Sequence, residues 1–402
     1  MFSLFFKGSL GLTFLLAFNL FADDWPNYMG PKYDGVYEET GLKLDFNKDK
    51  PKRVWRAKVK TGFSSITTMY DKVYSMGHSA GKDYVFCLDD KTGNTIWSKT
   101  YKAELQPNLY EGGPNATPTV YDGLVYTFGK HGQFHCWDAN TGAEKWSVNV
   151  SEKYGYKSPD WGFSGSPYIH GDLVLINAGS AGIAFNRKSG EMVWKSDNGK
   201  ASYASIIPYS AGGKDEVLLF GANKLICLNA TNGKKSWDVN WKTSYDVNSA
   251  NPAIYGKDIF ISSGYGKGAG LVKVNGNRAA FDWTNNSMRN HFSCSIIKGD
   301  YVYGIDGNTN DRNASLKCMR LKDGRVMWSE GLGFGTIAMA NDKLLVLREK
   351  GQLVSVDVNP EKYVENGRIQ ILGGKCWTSP IVSNGHIYAR NARGDLVKFS
   401  LK

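Results

Sequence analysis

The chain has 402 residues, with 49 Lys and Arg against 38 Asp and Glu for a formal net charge of +11, 13% aromatic residues, 46 glycines and only 12 prolines. Length alone would admit two or three domains, but no Pro/Ser/Gly-rich linker interrupts the chain, which argues for one β-rich globular body. The charge would suit an acidic polysaccharide or an anionic membrane surface, yet no basic block or strongly basic amphipathic helix accompanies it; it reads as a cationic surface, and nucleic acid is not expected as a partner.

Residues 1–22 carry one lysine, an apolar stretch through Leu20 and a small residue before Asp23-Asp24, the layout of a secretory signal peptide. An uncleaved anchor is the other reading, because Leu20 stands where a cleavage site prefers a small residue, although the stretch is shorter than the ~20 residues a span needs. No later segment suits a membrane span, and no cysteine follows the apolar run to carry a lipid. Export predicts a periplasmic or secreted chain with a lead-in over residues 23–52 and a repeat region over residues 53–402, expected to be monomeric.

An eleven-residue pattern fills that region: Cys87-Leu88-Asp89-Asp90-Lys91-Thr92-Gly93-Asn94-Thr95-Ile96-Trp97, then Cys136 to Trp146, Ala184 to Trp194, Cys227 to Trp237 and Cys318 to Trp328, with a degenerate copy ending at Trp283. A period of ~45 residues is that of a propeller blade. The clearest copy predicts four short strands: Thr119-Val120-Tyr121, Leu124 to Thr127, Gln133 to Trp137 and Lys145 to Val148, with turns at Asp122-Gly123 and Asn140-Thr141-Gly142. The turn residues Asp89, Asp138, Asn186 and Asn229 are suited to accept backbone N–H bonds within their hairpins.

Trp97, Trp146, Trp194, Trp237, Trp283 and Trp328 mark six blades, Ile369 to Leu372 closes a seventh, and Thr378 to Leu401 supplies only three strands of an eighth. Arg53 to Val59, with Trp55, is predicted to complete it, joining the termini and removing a sheet edge. The fold predicted is all-β, an eight-bladed propeller of four-stranded antiparallel blades. Each repeated tryptophan is expected to pack between neighbouring blades and to donate its N–H to a backbone carbonyl there. Cys87, Cys136, Cys227 and Cys318 occupy equivalent positions in separate blades, too far apart for the ~7 Å that a disulfide spans, and read as small buried strand residues; a bridge between Cys294 and Cys376 stays open.

The pattern resembles the tryptophan docking repeat of pyrroloquinoline quinone (PQQ) dehydrogenases and of the wider PQQ-like propeller superfamily, to which the outer-membrane assembly factor BamB belongs. The resemblance covers about Arg53 to Lys402, and Asp24-Trp25-Pro26-Asn27-Tyr28-Met29-Gly30-Pro31 is similar to the lead-in of exported bacterial members. A working quinoprotein of this kind implies a vicinal disulfide on the cofactor, a calcium held by carboxylate and amide oxygens, and an aspartate base. This sequence has no adjacent cysteine pair, lacks the insertions that roof the cofactor in that family, and offers no matching Glu/Asn/Asp set.

Propeller geometry directs attention to the central channel and the loops leading into each innermost strand. Three residues before the aligned proline position (Pro118, Pro380 and their equivalents) stand Phe63, Asn115, Ser164, Tyr203, Ser249, Phe292, Phe334 and Trp377, with Trp161, Phe163, Asn248, Arg289 and His291 adjoining. Such a ring would stack on a flat ligand, a sugar face or a peptide aromatic; the alternative is that these side chains plug the funnel. His291 suggests acid chemistry, with Arg289 lowering its pKa by like-charge repulsion, but no carboxylate or nucleophile adjoins it, and loop hydrogen bonding is the other reading. The remaining histidines form no metal-ligand spacing.

No catalytic residue, cofactor or metal is therefore assigned. The leading reading is an exported, non-catalytic propeller that binds a protein or polysaccharide partner through its loop face or channel. The alternatives are an alcohol or sugar oxidoreductase using PQQ with Ca²⁺ at a divergent site, and a BamB-like assembly subunit.

Overall fold

The computed structural model describes residues 24–210 and 215–402; the expected signal peptide lies outside them. Eight antiparallel sheets are formed in chain order by residues 67–102, 119–149, 168–195, 207–240, 253–285, 296–330, 335–370 and 381–400, here blades one to eight. Each meanders outward from a short innermost strand. Blade eight supplies Ile381–Ser383, His386–Arg390 and Asp395–Ser400, and its outer strand is Lys52–Lys58, antiparallel to Asp395–Ser400 with Lys52 opposite Ser400 and Lys58 opposite Asp395. The ring is closed by pairing its two ends, which leaves no blade with an unmatched third strand. One strand is displaced by more than a residue from the sequence reading: the outer strand of blade seven is Glu365–Gln370 rather than Ile369 to Leu372, because its hairpin register places Glu365 opposite Val356 and Gln370 opposite Gln352.

The repeat works through contacts between blades. Trp97 pairs across the strands with Cys87, Trp146 with Cys136, Trp237 with Cys227 and Trp328 with Cys318, so the small thiol stands opposite the large ring; the pairing slips by a bulge at or beside this point in each blade. None of the six cysteines forms a disulfide and all six are buried, including Cys294 and Cys376. Trp97 Nε1 donates to Ala139 O of the next blade at 3.1 Å, and Trp55, Trp146, Trp194, Trp283 and Trp328 make the same bond to Asp90, Arg187, Ala230, Leu321 and Asn359. Trp237 Nε1 is buried without an acceptor. The receiving turn needs glycine for two reasons: Gly142 has φ +67°, and a Cβ there would lie 2.7 Å from Trp97 Cδ2.

The lead-in crosses one end of the channel. Trp25 and Thr68 exchange backbone hydrogen bonds of 3.0 Å, Pro26 O accepts from Val120 N at 2.8 Å, and Tyr33 meets Tyr168 edge-on at 5.4 Å. Val36–Tyr37 then pairs in parallel with Met339 and Ala340 of the innermost strand of blade seven. These contacts reach the innermost strands of blades one, two, three and seven, so the lead-in covers that end of the channel and the end formed by the loops before those strands is left as the mouth.

Candidate functional site

Inside the ring lies a cavity of about 320 Å³ lined by Phe63, Asn115, Ser164, Tyr203, Ser249, Phe292 and Trp377 from the aligned position, together with Trp161 and His291. Tyr28, from the lead-in, also lines it. Its hydroxyl sits 3.5 Å from Cys294 Sγ, and burial raises the phenol well above its usual pKa, so it is neutral. Leu109, another lining residue, is 91% exposed and marks the solvent side.

The upper wall is a crown of rings in mutual contact. Phe63 of the loop before blade one lies 5.3 Å from Trp377 of the loop before blade eight, so the crown bridges the seam of the ring. It continues from Trp377 to Phe292 at 5.4 Å, through His291 to Tyr265 at 5.1 Å, Tyr245 at 5.5 Å and Trp161 at 6.4 Å, and Trp161 Nε1 donates to Asn108 O at 3.1 Å beside Tyr110. Tyr110 closes the circuit, 5.2 Å from Phe63. Contacts of this kind hold the rings of a crown rigid while their faces stay available.

Below the crown runs a belt two residues further along each chain segment. Ser65 N donates to Thr117 Oγ1 at 3.0 Å, Thr117 N to Ser166 Oγ at 2.9 Å, Ser166 N to Ser205 Oγ at 2.9 Å, Ser205 N to Asn251 Oδ1 at 2.9 Å, and Asn251 N to Cys294 Sγ at 3.2 Å. Each blade thus hands a backbone N–H to a side chain of its neighbour, which fixes the channel wall from blade one to blade six.

Four residues expected at the channel are placed elsewhere. Asn248 is fully buried and fully used, its Oδ1 accepting from Thr243 and Ser263 hydroxyls at 2.7 Å and its Nδ2 donating to Gly221 O at 2.8 Å. Arg289 turns away to Asp306, with Nε and Nη2 bonds of 2.7 and 2.8 Å, because that buried carboxylate needs a counter-ion. Burial alone would raise Asp306, but Arg289 and Lys317 hold it below the usual carboxylate range. Phe334 is 2% exposed and packs edge-on behind Phe292. Phe163 is likewise in the core, against Phe128. Consequently the pKa of His291, pushed down to about 4, owes its shift to burial and not to Arg289. The imidazole is neutral, its Nε2 3.2 Å from Tyr265 OH and its Nδ1 accepting from Thr309 N at 3.4 Å.

Sequence reasoning missed the belt, Tyr28, Tyr110 and Tyr265. A shift of the same blade alignment by two positions exposes Ser65, Thr117, Ser166, Ser205, Asn251 and Ser379 as a row of small polar residues; Tyr110 and Tyr265 sit in loops that differ from blade to blade.

The family described as outer membrane protein assembly factor BamB matches residues 44–127 and 81–330, well over half of the sequence. The chain belongs to this family. Among solved structures, BamB from Moraxella catarrhalis superposes with a TM-score of 0.65 at 15% identity, over 87% of this chain and 99% of that one. The quinohemoprotein alcohol dehydrogenase of Comamonas testosteroni gives 0.71 at 15% identity, over 94% and 80%, and its Pseudomonas putida HK5 counterpart ADHIIG gives 0.66 at 12%, over 94% and 80%. At such identities these likenesses show the fold alone. A curated relative, tetrathionate hydrolase of Acidithiobacillus ferrooxidans, is 26% identical over 183 residues, which span 41% of this chain and 35% of that protein.

The side chains lining this BamB-family cavity include no Asp, Glu, Lys or Arg, and among the described residues no group of three or more His, Cys, Asp or Glu is placed to hold a metal. PQQ is a polycarboxylate that calls for cations, and its calcium calls for carboxylate oxygens; the residues present do not fit that pair. No helix among the described residues is long and apolar enough to cross a membrane.

Proposed function

We propose that this chain is an exported, non-catalytic binding module of the periplasm or cell exterior that receives its partner in the crowned cavity. The observation that carries this reading is a cavity of about 320 Å³ walled by aromatic rings and neutral hydroxyls, with a neutral imidazole and no charged side chain among its lining. Such a wall binds by stacking and hydrogen bonding. Its imidazole, with a pKa pushed down to about 4, is a weak base, and no carboxylate stands among the lining to take a proton or activate a hydroxyl.

Membership of the BamB family favours a partner in the cell envelope, and the cover over the far end of the channel leaves the mouth beside Leu109 as the route in. The test is incubation with PQQ and Ca²⁺, gel filtration, an absorption spectrum, and a dye-reduction assay with alcohols and sugars. The reading expects the quinone to elute apart from the protein and no dye to be reduced. Stoichiometric retention of quinone with alcohol-dependent dye reduction would establish the oxidoreductase instead.

A further inference from the structure

At the base of the cavity, hydrogen-bond donors stand without acceptors. Thr117, Ser166 and Ser205 each use their oxygen to accept a neighbouring backbone N–H, and none donates its own proton to a protein atom. Asn251 uses Oδ1 in the same way, and its Nδ2 has no partner although the residue is 6% exposed. Each hydroxyl oxygen has one lone pair engaged, so what the belt has left to offer is its free protons, with the Asn251 amide hydrogens, and one further lone pair on each hydroxyl.

These four residues precede blades two, three, four and five in turn, so their donors are spread along an arc of the wall instead of converging on a point. An arc of donors matches a ligand with several oxygens along its rim; a small oxyanion would satisfy only part of it. The rings above match a flat face of C–H bonds. The uncharged lining matches a neutral ligand, and a cavity of about 320 Å³ falls at the small end of the usual range for ligand sites, about 300–1,000 Å³. An aromatic peptide side chain would meet the rings and leave the donors unmatched, which is costly in a buried site.

From these features we propose that the cavity takes the end of an uncharged glycan, about one or two pyranose rings entering past Leu109, with sugar oxygens accepting from Thr117, Ser166, Ser205 and Asn251 and a sugar face on the crown. The inference rests on the binding-module reading and names its ligand class.

The test is calorimetric titration of the full exported chain with cellobiose, maltose and chitobiose, beside digalacturonate, sodium sulfate and a neutral phenylalanine tripeptide. Saturable one-to-one binding of a neutral disaccharide is expected, with no heat from sulfate. Asn251→Asp keeps the oxygen that accepts from Ser205 and removes the donors; it should weaken that binding at least tenfold, as should Trp377→Ala, with the thermal midpoint of each variant checked alongside. If Asn251→Asp does not fold, Trp377→Ala alone decides. Preferential binding of sulfate, digalacturonate or the tripeptide would overturn the sugar assignment and leave the binding module standing, and silence from every neutral sugar would overturn it too. Retention of PQQ with Ca²⁺ in the separate assay would instead remove the module reading itself.

Discussion

Trp97 and Trp237 occupy the same position in different blades, and only one of them has its hydrogen bond. Trp97 donates to Ala139 O, whereas Trp237 faces blade five, where a tight turn at Gly276 stands in place of the eleven-residue pattern and no carbonyl meets its N–H. Phenylalanine at position 97 removes a bond that contributes about 0.5–1.5 kcal/mol beyond the lost packing. Phenylalanine at position 237 removes none and relieves a buried unpaired donor. Trp97→Phe is expected to lower the thermal midpoint more than Trp237→Phe; equal losses in a thermal melt would show that packing alone fixes these rings.

His291 also acts at this scale. Burial pushes its pKa down to about 4, while an unfolded chain titrates near ~6.5. Between those values the unfolded state binds more protons, so stability is full above about 6.5 and is lost as pH falls through the window toward 4. His135 is shifted the same way by burial, against a smaller opposing effect of Glu144. Thermal midpoints at about pH 7 and pH 5 should therefore differ more for the natural chain than for His291→Gln, and parallel pH dependence of the two would contradict the burial of that imidazole.

Among the elements, blade eight carries the heaviest demand, since it must join two ends of the chain. Arg390, with no exposure, donates to Ser64 O at 2.9 Å, Met76 O at 2.6 Å, Lys60 O at 3.1 Å and Gly62 O at 2.9 Å, all leading into or within blade one. Burial pulls its pKa down to about 9, which still leaves it protonated near neutrality. Asp90 of blade one adds a second fastening, accepting from Tyr388 OH at 2.6 Å and Lys398 Nζ at 2.7 Å and offering its carbonyl to Trp55. Arg390→Met leaves several buried carbonyls unmet and should cost roughly 3–5 kcal/mol. Chemical denaturation measures it, and a loss under about 1 kcal/mol would mean the seam is held elsewhere.

The blades were legible because hydrophobic alternation and turn chemistry recur with one period, and because Trp55 stood in a strand with no other sheet to join. The path of the lead-in was not, since Asp24 to Pro31 has no alternation and is shaped by the channel it covers. The crown was half legible: Phe63, Phe292 and Trp377 follow from blade alignment, with Trp161 and His291 adjoining it. Asn248 and Arg289 did not, because a polar loop residue reads as available until its buried partners, Ser263 and Asp306, are seen.

For the whole molecule, the ring and the site are one problem. Phe63 and Trp377 meet across the seam, so the crown exists only while the N-terminal strand holds blade eight, and the lead-in that covers the far end departs from the same segment. Opening the seam would part Phe63 from Trp377 and widen the cavity, which makes the proposed binding dependent on a closure remote in sequence from the crown rings before blades two to six. Hydrogen exchange of the full chain, followed by mass spectrometry peptide by peptide, tests this directly. Closure predicts that amides of Lys52–Lys58 are protected as strongly as those of Glu144–Asn149, the outer strand of blade two, and those of Asp395–Ser400 as strongly as those of Gln133–Asp138 in its middle. Exchange of Lys52–Lys58 at the rate of a free chain, with blade two still protected, would contradict it.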